Sequence, residues 1–156
     1  MSIGSLSRVL SCVFVGAAPL LMVAPAASAA PGSSPYECSG IYLTSDGSAE
    51  VESCIYAENG VPRAFGGITF KNDSINSKNC TMVVTVVDKD AYANGGTDEH
   101  VATSGPFPCT NGRYPSPPLT VDQALAKPGH RYVSFTEVTK DGNGIIRMYS
   151  PELILP

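Results

Sequence analysis

Thr81-Met82-Val83-Val84-Thr85-Val86-Val87-Asp88 is the stretch that decides the fold. Met82, Val84 and Val86 alternate with Thr81, Val83, Thr85 and Val87, so one face is wholly apolar and the other half threonine. That period of two, built from β-branched residues, predicts a central strand of a sandwich. Outward from it, turn signals recur every 8–15 residues between short β-rich runs, the pattern of an all-β domain. Strands are predicted at Gly40–Thr44, Ala49–Tyr56, Ala64–Lys71, Val101–Ser104, Arg131–Thr139 and Ile145–Ser150, with Glu152–Leu155 as a last edge strand. Ser45-Asp46-Gly47 and Asp141-Gly142-Asn143-Gly144 supply turns that tolerate positive φ. One short crossover helix is expected over Val121–Lys127, with Thr120 as N-cap and Pro128-Gly129 as the stop. The fold class expected is therefore an all-β antiparallel sandwich of Greek-key, immunoglobulin-like type, with one short helix and two disulfides.

Met1–Ala29 reads as a secretory leader. Arg8 is its only charge, Val9–Val23 is apolar but broken by Gly16 and Pro19, and Ala27-Ser28-Ala29 suits a signal peptidase. Residues 30–156 are then one domain, opening on a flexible stub at Ala30–Pro35. Cleavage turns 5 cysteines into 4, namely Cys38, Cys54, Cys80 and Cys109, and leaves 9 basic against 14 acidic residues. An even cysteine count without any C-x-x-C pair points to disulfides in an oxidising compartment, not to zinc. The acidic balance argues against nucleic acid and anionic membrane surfaces as partners. No second long apolar run follows the leader, so no stable membrane insertion is expected.

Four cysteines permit three connectivities. A hairpin centred on Asp46 pairs residues whose numbers sum to 92, which sets Cys38 opposite Cys54. Asn94-Gly95 centres a register of 189, which relates Cys80 to Cys109, although Pro106 and Pro108 break any regular hairpin of that length. The sequential pairing is preferred over the crossed ones. It leaves a tension: regular alternation puts Cys38 and Cys54 on the same face as Glu50 and Glu52, opposite Val51 and Ile55. A bulge near Gly40 would shift Cys38.

The candidate chemistry is sparse. His100, beside Asp98 and Glu99, is one of only two histidines. Adjacent strand residues point to opposite faces, however, so adjacency builds no dyad. His130 reads as a turn residue. Asp88 to Glu99 mimics the first and last ligands of a calcium loop, yet Ala93 stands where a glycine is needed. The plainer reading is an acidic loop, and no metal or cofactor is expected. Tyr42 and Tyr56 share parity and form a candidate outer aromatic pair. Asn72 and Asn79 open N-glycosylation patterns that serve equally as turn residues. Gly105–Pro118 (GPFPCTNGRYPSPP) is read as a loop stiffened by its prolines and tethered by Cys109. Arg113 and Tyr114 sit at its crest, and both are residue types that anchor interfaces at low entropic cost.

In layout the chain resembles the small secreted β-sandwich proteins of Gram-positive, high-GC bacteria. The spans of Cys38–Cys54 and Cys80–Cys109 also resemble those of the tendamistat-type α-amylase inhibitors. That family's Trp-Arg-Tyr is missing from Ser39–Ser53, and the chain runs on past Cys109, so no functional residue carries over. The resemblance implies a sandwich. The function expected is a secreted, non-catalytic binding module for an extracellular protein or cell-surface ligand. The alternatives are an inhibitor of an extracellular protease or amylase acting through Gly105–Pro118, and a small hydrolase built on Asp98 and His100.

Overall fold

The computed structural model describes residues 36–72, 79–91 and 99–156. The predicted leader Met1–Ala29, the predicted stub, Asp98 and the Asn94-Gly95 pair lie outside the described residues. The strands are β1 (Glu37–Cys38), β2 (Tyr42–Leu43), β3 (Ala49–Glu58), β4 (Val61–Phe70), β5 (Cys80–Asp88) and β6 (Glu99–Thr103). They continue as β7 (Phe107–Pro108), β8 (Gly112–Thr120), β9 (Arg131–Lys140), β10 (Asn143–Tyr149) and β11 (Leu153–Ile154). They form two antiparallel sheets. The first runs β1-β3-β4-β8, with β2 also on β3. The second runs β10-β9-β5-β6, with β11 on β9 and β7 on β5. Crossing from β4 to β5, back to β8 and out again to β9 gives the Greek-key connectivity of an immunoglobulin-like sandwich.

β5 lies in the middle of its sheet, as its alternation predicts. Met82, Val84 and Val86 are wholly buried between the sheets. Two-residue turns with positive φ at both positions close β3–β4 (Asn59-Gly60) and β9–β10 (Asp141-Gly142); their twist matches that of the flanking strands. The inter-sheet core falls into two apolar clusters. Ile55, Ala64, Val84, Val86 and Tyr132 form one, and Val51, Ile68, Met82, Cys80, Cys109 and Val138 the other. Between them in register lies a waist of small and polar residues: Ser53, Gly66, Ser134 and Thr136. Ser53 and Ser134 hydroxyls meet at 3.0 Å across the sheets, and Ser134 donates to the Cys54 carbonyl. At Gly66 a Cβ would lie 2.5 Å from Thr136 Oγ1, so only glycine permits this approach.

The expected helix over Val121–Lys127 does not form. Asp122, not Thr120, caps a single turn, its carboxylate accepting from Ala124 N and its carbonyl from Leu125 N and Ala126 N. The next amide, Lys127 N, bonds instead to the hydroxyl of fully buried Tyr132, which itself donates to the Leu125 carbonyl. This tyrosine corner at the entry to β9 takes the groups that a second helical turn needs. Gly105–Pro118 is likewise more than a loop, since it contains β7 and most of β8. Pro115, Pro117 and Pro118 lack N–H donors, which confines them to an edge strand. The ladder with β4 accordingly breaks between Ala64 and Gly66, where residues 115–118 bulge out.

Both disulfides form as the sequential pairing requires, Cys38–Cys54 and Cys80–Cys109. Two intramolecular disulfides are the chemistry of an oxidising, extracytoplasmic environment. No helix among the described residues is long and apolar enough to cross a membrane. Cys38 stands opposite Cys54 in a register of 92, whereas Tyr42 opposes Val51 in a register of 93. The one-residue shift falls at Gly40, whose φ is +75°. The bulge thus exists, but it leaves the disulfide on the outer face with Glu52 and moves the β2 residues instead.

Candidate functional site

The outer face of the first sheet carries the most organised cluster of polar side chains. On β3 and β4, Glu50, Glu52 and Cys54 share this face with Phe65, Gly67 and Thr69, because register sets Glu50 against Thr69, Glu52 against Gly67 and Cys54 against Phe65. Phe65 is nearly fully buried although it points away from the inter-sheet core. The ring of Tyr36 meets it edge-on at 5.2 Å, and Tyr36 in turn meets Tyr56 at 4.9 Å. With the disulfide these rings make a small second core on the outer surface. Burial pushes the Tyr56 hydroxyl's pKa above its ordinary value. Tyr42 takes no part in it, being displaced by the Gly40 bulge, so the candidate Tyr42–Tyr56 pair does not form.

Arg113 completes this face from β8. Its guanidinium lies over Phe65, 5.0 Å from the ring centre, while Nε donates to Glu52 Oε1 at 3.3 Å. Cation–π stacking and a charge-assisted bond fix one edge of the group. The side chain nevertheless remains 61% exposed, so its remaining N–H donors face solvent. Gly67 is the floor, where a Cβ would lie 2.6 Å from Glu52 Oε1; the missing side chain lets Glu52 lie flat. Ile41, Glu50, Glu52, Gly67, Thr69 and Arg113 line a shallow groove of about 250 Å³ here. Glu50 is paired with Lys71 at 3.6 Å. Cys38, Glu52 and Cys54 converge, but their two sulfurs are bonded to each other and offer no thiolate to a metal.

Tyr114 follows Arg113 but points to the other side. Its ring stacks on Phe107 at 5.9 Å, its hydroxyl meets Thr110, and it packs against the core cluster around Val51 and Met82. The structure therefore separates the two residues. Arg113 is presented from a strand, not from a loop crest, and Tyr114 braces β8 from behind.

The other candidates resolve as follows. His100 lies on the outer face of the second sheet, its ring 5.6 Å from Phe135, which also contacts Tyr149 and the Arg147 guanidinium. Asp98, its proposed partner, lies outside the described residues, as do positions 92–98 of the calcium-like loop. Asp88 and Asp90 are already committed. Buried Asp88 accepts from Asp90 N, Ala91 N and His130 Nδ1, the last at 3.0 Å. Asp90 takes a bidentate bond from Arg131, which holds its carboxyl down at about 2. The Asp88–His130 pair is thus a clasp between the end of β5 and the start of β9, and sequence reading missed it because 42 positions separate the partners. Glu52 and Phe65 were missed likewise. Their one sequence signal is the Gly66-Gly67 pair interrupting an otherwise well-formed strand.

Comparison with protein-family models, with curated proteins and with solved structures finds no match to this chain.

Proposed function

We propose that this chain is a secreted, non-catalytic binding module, exported by its leader, that engages an extracellular protein or cell-surface ligand through the groove bearing Arg113. One observation carries the reading: a largely exposed guanidinium is immobilised on a strand by Phe65 and Glu52. Such a group offers planar donors to a carboxylate, phosphate or carbonyl and loses little freedom on docking. Inhibition of an extracellular protease or amylase is a special case of the same reading. A hydrolase, by contrast, needs a nucleophile on an oriented imidazole, whereas the His130 imidazole is engaged by Asp88 and the His100 ring lies against Phe135.

The test uses the mature, oxidised protein immobilised against secreted proteins and surface glycans of the producing cell, beside Arg113→Ala. A partner whose affinity falls at least tenfold with that substitution supports the groove. A partner held equally well by both proteins removes it. Turnover of a peptide, ester or glycan that is lost in His100→Ala overturns the non-catalytic reading.

A further inference from the structure

We propose that the open edge at β2 is a self-association surface, through which two copies of this chain pair antiparallel over Ile41–Leu43 and join their first sheets into one. Ile41, Tyr42 and Leu43 are 67%, 52% and 48% exposed, and they are consecutive. Among the described residues, none pairs with the backbone beside them on its outer side. Thr44 N bonds to Ala49 O, and Tyr42 opposes Val51; by antiparallel alternation, the N–H and C=O groups of Leu43 and Ile41 are directed away from β3.

Among the described residues the other edges are defended and this one is not. β8 carries Pro115, Pro117 and Pro118, and β7 carries Pro108. β6 has Glu99 and His100, β10 has Arg147, β1 has Glu37, and β11 is flanked by Glu152 and Pro156. Charge and proline are the usual means of keeping a strand edge from pairing. From Ser39 to Ser45 there is neither. The nearest carboxylates on that face, Glu50 and Glu52, are already matched by Lys71 and Arg113, so like-charge repulsion between copies is small.

The segment is complementary to itself. In a two-fold pair centred on Tyr42, Ile41 of each copy faces Leu43 of the other, and these residues hold the outward donors and acceptors. Four ladder hydrogen bonds and two Ile–Leu contacts form, with no group left unmatched. Ser45 N is already bonded to Ile145 O, which limits the ladder to these three residues. The exposed surface of the triplet is on the order of 350 Å² per copy, about half of what a standard interface buries on each partner. The association is therefore weak and concentration-dependent. It does not rest on the function proposed for the Arg113 groove.

Sedimentation velocity of the mature, disulfide-bonded protein from about 10 μM to 1 mM tests it. The weight-average mass is expected to climb from the monomer toward twice its value. Leu43→Lys and Ile41→Lys, each checked for retained β-sheet circular dichroism, are expected to raise the midpoint concentration at least tenfold. Ile154→Lys, at an equally exposed isoleucine on β11, is expected to leave it unchanged. A monomer throughout the range overturns the proposal, as does a dimer that either β2 substitution leaves intact or that Ile154→Lys weakens equally.

Discussion

Asp46, in the turn between β2 and β3, accepts hydrogen bonds from Lys140 Nζ at 2.8 Å, from the hydroxyls of Ser48 and Thr44, and from Ser48 N. These donors, Lys140 foremost, hold its carboxyl well below the usual carboxylate range. Asp90 is held down by Arg131 in the same sense. Both folded values lie below the unfolded value of about 4, so above that pH both states are ionised and the stabilisation is complete. As pH falls through about 4, the unfolded chain takes up protons that the folded chain still refuses, and stability declines toward pH 2. The urea midpoint is therefore expected to fall between about pH 5 and pH 2, and Asp46→Asn is expected to flatten that fall while lowering the plateau. An unchanged slope in Asp46→Asn would show that the turn contributes nothing to acid sensitivity. Turn chemistry of this kind was readable as Ser-Asp-Gly in sequence. The Lys140 contact was not, because it comes from the opposite sheet 94 positions away.

At the scale of the element, the waist between the two core clusters is the point of closest control. Thr136 Oγ1 is buried without a partner, 2.5 Å from where a Cβ on Gly66 would lie. Thr136→Val replaces an unsatisfied hydroxyl with a methyl of similar shape and is expected to raise unfolding free energy by about 1 kcal/mol. Gly66→Ala is expected to cost about 1–3 kcal/mol by forcing β4 away from β9. Urea titrations of both variants check this, and a neutral Gly66→Ala would mean the sheets have slack there. Strands such as β5 and β9 were legible because alternation of β-branched residues is a local signal. β8 was not, since its prolines mimic a loop and only pairing along one side with β4 makes it a strand. The Val121–Lys127 segment deceived for the opposite reason. Its helical composition is local, but the tyrosine that redirects its amides lies beyond the proline that ends it.

For the whole molecule, the two disulfides close loops of 16 and 29 residues. The chain-entropy account assigns about 3 and 3.6 kcal/mol to them. Cys80 and Cys109 also belong to the inter-sheet core, whereas Cys38 sits half-buried on the outer face. Replacing Cys80 and Cys109 by Ala is therefore expected to lower the unfolding midpoint more than replacing Cys38 and Cys54, and calorimetry of the two double variants decides it; the reverse order would contradict this account of the core. Sandwich class and disulfide pairing were legible as number patterns along the chain. The Arg113 site was legible only in part. Arg113 stood out by residue type and stiff surroundings, but Glu52 lies 61 positions from it, and no local pattern announces a contact across three strands.

Neither disulfide joins a strand of one sheet to a strand of the other: Cys38–Cys54 ties β1 to β3, and Cys80–Cys109 ties β5 to the residue that follows β7. A molecule stretched between its first strand and its last, β1 in one sheet and β11 in the other, therefore has no covalent bond in the path that resists the two sheets parting. The load falls on side-chain packing and on the non-covalent bonds between the sheets: Ser134 with Ser53 and the Cys54 carbonyl, Lys140 with Asp46, and Ser45 N with Ile145 O. The bridges act only afterwards, as stitches that keep about 150 Å of contour from paying out. A chain torn open in this way lengthens only through the residues outside the two bridged loops, which stay closed until the disulfides are reduced.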